Sequence, residues 1–234
     1  AQESYFLEAQ HLAARGDGVS AALLLERFGK VYSASPRVPL AWAQAATYAQ
    51  KQNSPQGLSQ AYALWKRLAE SYPSHLLAFE AHLRQGDLLR QFNDFNLAVR
   101  VYRGALEAFP GHPQRYKAET SLGYSLMGLG TEQAVSEALS LWESLLSRPS
   151  VPLELRIEAG FQLGNLLAQS GQTDRAMRIY WQAVANLVKT PGECLEACGV
   201  YWTVRTLERL LVLAQEAGYP AEELDRLRHL KAQW

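Results

Sequence analysis

Cysteine is nearly absent: 234 residues hold two, Cys194 and Cys198. Four apart on one expected helix, their Cβ atoms would stand about 5–6 Å apart, wider than the ~3.5–4.5 Å of a disulfide. Two free, buried thiols are expected, and they say little about redox compartment. Excess charge is also missing, since Lys plus Arg and Asp plus Glu both number 23. A nucleic-acid binder usually carries a basic surplus, so no nucleic-acid partner is expected. The longest apolar runs, Ala21–Leu25 and Leu210–Ala214, fall far short of the ~20 residues of a membrane helix, so no transmembrane segment is expected. The opening residues, AQESYFLEAQ, have neither the basic nor the apolar stretch of a signal peptide. A mature protein or an excised domain would look the same, which leaves the compartment open.

Catalytic and metal-binding patterns are missing too. The five histidines, His11, His75, His82, His112 and His229, form no H-x-x-x-H pair, and no C-x-x-C occurs, so no metal site is expected. Phosphate-cradling glycine loops and the G-x-S-x-G elbow are lacking. Glu222-Glu223 falls in an expected first helical turn, where acids complement the dipole. No catalytic residue and no cofactor are expected. Trp42, Trp65, Trp142, Trp181 and Trp202 recur at helical spacing and read as core.

What the chain has is helical periodicity and an ordered alternation of small and large residues. Ala9 and Ala21 are twelve apart, as are Gly86 and Ala98, and Gly164 and Ala176; Ala46 and Ala61, and Gly123 and Ala138, are fifteen apart. Four residues after each second member stands a large side chain: Leu25, Trp65, Tyr102, Trp142 and Tyr180. Pro73 and Pro110 close two units, and Pro36 and Pro152 fall slightly later at the same joint. Antiparallel helices crossing at about 8–10 Å need Gly or Ala at the crossing. The large residue one turn later fills the space beside it, and proline ends the second helix. Turn chemistry agrees: Asn93-Asp94 and Gly171-Gln172-Thr173 lie between paired helices, and Ser54-Pro55 is an N-cap followed by Pro at the first position.

These spacings resemble those of the tetratricopeptide repeat family over about five units, with Gly86…Ala98…Tyr102…Ala105…Pro110 the best match. The resemblance implies an all-α fold, a right-handed α-solenoid of antiparallel helix pairs. The units run approximately 2–36, 38–73, 75–110, 112–150 and 152–189, in one solenoid spanning 1–234. Glu8 and Phe28 depart from the family pattern in the first unit. The short and long spacings alternate, and equivalent positions recur at double steps: Trp65 and Trp142 are 77 apart, Tyr102 and Tyr180 are 78 apart. Either pairs of units duplicated together or separate insertions and deletions coincide; the three extra residues of the long form would add about 4.5 Å if helical. A cap is expected over 190–234. Thr190-Pro191-Gly192-Glu193 forms a capping box. One long helix runs from Pro191 to Ala217, and a shorter one from Pro220 to Ala232 carries an inner stripe of Leu224, Leu227 and Leu230.

The resemblance also implies a concave groove lined by the first helix of each pair. Its candidates are Phe6, Leu83, Asp87, Arg90, Tyr124, Met127, Phe161 and Asn165, with Gln10, Ala43, Thr47, Thr120 and Ala168 beside them. This composition suits a peptide or a partner helix. The implied function is a non-enzymatic scaffold that binds another protein or a peptide segment. The alternative is a peptide- or ligand-sensing regulatory module of a larger protein. Asn165 matches the chaperone-tail-binding subfamily, but Phe161, Ala43 and Leu83 stand where that subfamily has basic residues, so chaperone tails are not expected. ESYPSHLLAFEAHLRQGDLL looks like bacterial envelope repeat proteins, which implies a periplasmic or envelope setting, with the cytoplasm as the alternative.

Overall fold

The computed structural model describes residues 2–189 and 197–234. Among them are twelve α-helices and no strand. The helices are α1 (Gln2–Ala14), α2 (Gly18–Val31), α3 (Val38–Lys51), α4 (Pro55–Ser71), α5 (Ala78–Gln91) and α6 (Phe95–Ala108). Then follow α7 (Arg115–Leu129), α8 (Glu132–Ser147), α9 (Leu153–Gln169), α10 (Thr173–Lys189), α11 (Ala197–Glu216) and α12 (Ala221–Lys231). They form two compact units, Ala1–Leu129 and Gly130–Trp234. The boundary falls between α7 and α8, inside the fourth of the units expected from the sequence.

The expected crossing residues are buried. Ala9, Ala21, Ala46, Ala61, Ala98, Ala138 and Ala176 have no exposed surface. Gly86, Gly123 and Gly164 are buried as well. The large residues beside them, Leu25, Trp65, Tyr102, Trp142 and Tyr180, are at most 4% exposed. The three extra residues of the long form are helical and extend the start of the second helix. There α4 and α8 begin six residues before Ala61 and Ala138. In the short form α2, α6 and α10 begin three residues before Ala21, Ala98 and Ala176.

Within each unit the turn inside a pair reverses the chain with one left-handed residue, Gly16, Asn53, Asn93 or Gly171, and Gly130 between α7 and α8 has positive φ as well. Glycine, or asparagine with its short polar side chain, adopts this conformation most easily. Next comes an N-cap whose side chain accepts a backbone N–H. Asp17 takes that of Ser20 at 3.0 Å, Ser54 that of Gly57 at 3.1 Å, Asp94 that of Leu97 at 3.1 Å and Thr131 that of Ala134 at 3.3 Å.

The joints between pairs are built alike in the first unit. The N–H of Tyr32, Tyr72 and Phe109 donates to Phe28, Leu68 and Ala105 respectively, four residues back. Each of these rings packs on an aromatic of the preceding first helix: Tyr32 on Tyr5 (5.8 Å between centroids), Tyr72 on Trp42 (5.6 Å) and Phe109 on Phe79 (5.9 Å). Three residues on, Ser35, His75 and His112 each accept a backbone N–H two residues further. The aromatic therefore closes the base of its hairpin, and proline follows directly at Pro73 and Pro110.

At the other end, α11 has 20 residues and is the longest described helix. The expected capping box and the first residues of the expected long helix lie outside the described residues, as does Cys194. Cys198, expected to be buried, is free and exposed; it sits in the first described turn of α11, whose buried position is its neighbour Gly199. Helix α12 begins after Pro220, carries Glu222 and Glu223 in its first turn and has no buried residue. Leu224, Leu227 and Leu230 are half-buried. No described helix is long and apolar enough to cross a membrane.

Candidate functional site

The groove candidates divide by their offset from the crossing residue. Three residues before it stand Phe6, Ala43, Leu83, Thr120 and Phe161. All but Phe6 are buried, Leu83 to 5% and Phe161 to 7% exposure. Residues three apart on a helix share a face, so this position lies on the same packed stripe as the crossing itself. Phe161 touches Trp202 of α11, with 5.1 Å between ring centroids. Phe6 packs edge-on against Phe28 at 5.2 Å, and the Arg37 guanidinium covers it at 4.4 Å. One residue after the crossing stand Gln10, Thr47, Asp87, Tyr124 and Asn165, all at least partly exposed. The accessible face of the first helices is therefore this offset and the next turn, which holds Arg90 and Met127.

Asp87, Arg90 and Tyr124 come together, and the surrounding sequence explains how. A Cβ on Gly86 would lie 2.5 Å from Cε1 of Tyr102, so only glycine lets that ring cross α5. The Tyr102 hydroxyl then donates to Asp87 Oδ1 at 2.7 Å, and Ser121 of α7 donates to the same oxygen at 3.2 Å. One carboxylate thus ties three helices together. Burial, and after it the Asp87 charge, holds the Tyr102 hydroxyl well above the usual tyrosine range. The Arg90 guanidinium lies 3.9 Å from Asp87 Oδ1 and 5.1 Å from the Tyr124 ring centroid. Gln91, Phe95 and Gly128 complete a cleft of about 440 Å³. A second cleft of about 300 Å³ in this unit holds Thr47, Gln50, Lys51, Trp65, Glu80 and Arg84. Met127 is half-buried and lines neither.

Asn165 occupies the same repeat position in the second unit. It accepts the Tyr180 hydroxyl at 2.7 Å, as Asp87 accepts that of Tyr102, and both pairs are fifteen residues apart. Burial raises the Tyr180 pKa, and the nearby Arg209 guanidinium works against that rise.

Two features escaped the sequence reading. Trp181, expected in the core, is 48% exposed. It lines a cleft of about 750 Å³ between α10, α11 and α12. Trp181 directly follows Tyr180, which is buried against α9, so it must point about 100° away round the helix. The joint aromatics were legible as Tyr5, Trp42 and Phe79, spaced 37 and 37, but the small residues drew the register instead. Among the described residues no cluster of three metal-ligating side chains occurs.

Solved structures share this architecture. A putative kinesin light chain with nearly identical TPR-like repeats, from Podospora anserina, aligns with a TM-score of 0.59 at 17% identity over 82% of this chain and 97% of that one. The apo quorum sensor NprR from B. thuringiensis aligns with a TM-score of 0.64 at 15% identity, covering 98% of this chain and 63% of that one. PilW, a type IV pilus biogenesis factor, aligns with a TM-score of 0.57 at 18% identity over 92% of this chain and 89% of its own. No protein-family model matches the sequence, and the search of curated proteins found no match. The chain is an all-α protein of helical-hairpin repeats. Its fold is that of the tetratricopeptide repeat, an α-solenoid of antiparallel helix pairs.

Proposed function

We propose that the protein is a non-enzymatic scaffold that binds a peptide or helix of a partner protein on the open face of its first helices. The site of choice is the cleft between α5 and α7, with Arg90 and Tyr124 as anchors. The observation that carries this reading is the placement of Arg90. It lies against Tyr124 and beside an Asp87 that Tyr102 and Ser121 already hold. A guanidinium has five N–H donors, and its one charged neighbour in the cleft is Asp87. Most of its donors are free for a backbone carbonyl or a carboxylate. Arg and Tyr are also the residue types that dominate binding energy at interfaces, and a side chain already held in place loses less entropy on binding.

The test is selection of random peptides on the immobilised protein, followed by titration calorimetry of the selected peptides. Combined Arg90→Ala and Tyr124→Ala substitutions should weaken binding at least about tenfold with far-ultraviolet dichroism unchanged. Selected peptides that bind the double variant equally well, or no selection at all, would move function away from this cleft. Serine at Leu83 or Phe161 would not serve, because both side chains are core.

A further inference from the structure

The cleft in the second unit has a different construction. Met177 and Trp181 of α10, Leu210 and Ala214 of α11, and Leu227 and Leu230 of α12 form its apolar floor. One end is pinned. Val184 and Leu207 belong to one apolar cluster with Leu230 packed against it, and Lys231 Nζ lies 2.9 Å from Glu208. The other end is open, with Asp174, Ala214, Tyr219 and Glu223 around it. From the open end to the pinned end, α10 and α12 both advance in residue number while α11 descends, so α10 and α12 run parallel.

The rim charges are ordered along that direction. Asp174 and Glu223 stand at the open end, and Arg178 and Arg226 about one turn further in. None of these four is ion-paired among the described residues, whereas Arg205, Glu208, Asp225, Arg228 and Lys231 on α11 and α12 are. All three walls are helices whose lining residues recur three and four apart, the ridges that accept another helix.

We infer that this cleft binds an amphipathic helix of a partner protein, running antiparallel to α10 and α12. Its apolar stripe lies on Trp181, Met177 and Leu227. Its flanks carry Glu at i against Arg178 and Arg226, and Lys at i+4 against Asp174 and Glu223. That order also supports the partner helix by itself, and the direction opposes its dipole to those of α10 and α12, two of the three walls. The inference is independent of the α5–α7 cleft.

The probe is a synthetic end-capped helix of about 15 residues. It has leucines at i, i+3, i+4 and i+7, and on each flank of that stripe a Glu followed four residues later by a Lys. A second peptide has Glu at all of these flank positions, so that neither direction matches both ends of the cleft. Binding is followed by tryptophan emission, with Trp181→Phe identifying the reporter. At low salt the first peptide should bind at least about tenfold tighter than the second, with an emission shift that Trp181→Phe removes. Changing Asp174 and Glu223 to Lys, which leaves only positive charge on the rim, should reverse the preference. Equal affinity for both peptides overturns the inference, and so does no binding of either below about 1 mM. Concentration-dependent dimerisation that Trp181→Asp abolishes also overturns it, because the occupant is then a second copy.

Discussion

Gly86 and Gly164 lack a side chain because a tyrosine ring stands where one would be. Tyr102 is fully buried and its hydroxyl is held by Asp87, so the ring cannot swing aside. Gly86→Ala is expected to cost about 1–3 kcal/mol by overpacking, read as a lower denaturation midpoint. Gly104, exposed on α6, offers the contrast: a Cβ there meets nothing within 4 Å. Gly104→Ala should stabilise by up to about 1 kcal/mol through helix propensity. Two identical substitutions thus carry opposite signs. Tyr102 adds a pH prediction. Its pKa is raised in the folded state, whereas a tyrosine in the unfolded chain ionises near pH 10. The unfolded chain therefore releases the proton first. The stability linked to this group is full below about pH 10 and declines as pH rises further. Tyr102→Phe should flatten that decline, seen as urea midpoints that converge between about pH 8 and 11.

At the scale of the helix pair, the turn residues and N-caps do the local work. Asp94→Ala removes the acceptor for the Leu97 N–H and should cost about 0.5–2 kcal/mol, measurable by urea denaturation. This scale is also where the sequence is most and least informative. Gly86, Ala98 and Tyr102 are legible because close helix crossing restricts residue size, and such a restriction leaves a mark in every repeat. The positions one and four after the crossing were legible as a surface, and Asp87, Arg90 and Tyr124 fell on it. Leu83 and Phe161 were placed on that surface too. Their offset of three residues puts them on the packed stripe, and spacing within one helix does not say which neighbour covers it. Trp181 went the other way. A helix with two apolar faces reads the same whether both are covered or one is bare, and only the placement of α12 decides it.

At the scale of the molecule, burial is uneven. Helices α3, α5 and α9 each bury eight residues, and α12 buries none. Opening free energies in one protein run from near zero up to the global value, following buried apolar contact. Amide hydrogen exchange should therefore be faster in α12 than in α3, α5 and α9. Protection of α12 equal to that of α3 would show that its half-buried leucines hold it far more firmly than their exposure suggests.

The alternation of short and long hairpins has a consequence for how such a chain can change length. The Tyr102–Asp87 bond reappears as Tyr180–Asn165, 78 residues later. Asp and Asn differ only in whether the outer group is an oxygen or an NH₂, so the geometry is kept while the charge is dropped. Adding or deleting one hairpin would set two short hairpins, or two long ones, side by side. Adding or deleting two hairpins returns every crossing residue to its own kind of neighbour. The hairpin is the unit that packs, but the pair of hairpins is the unit by which this chain can grow or shrink in register.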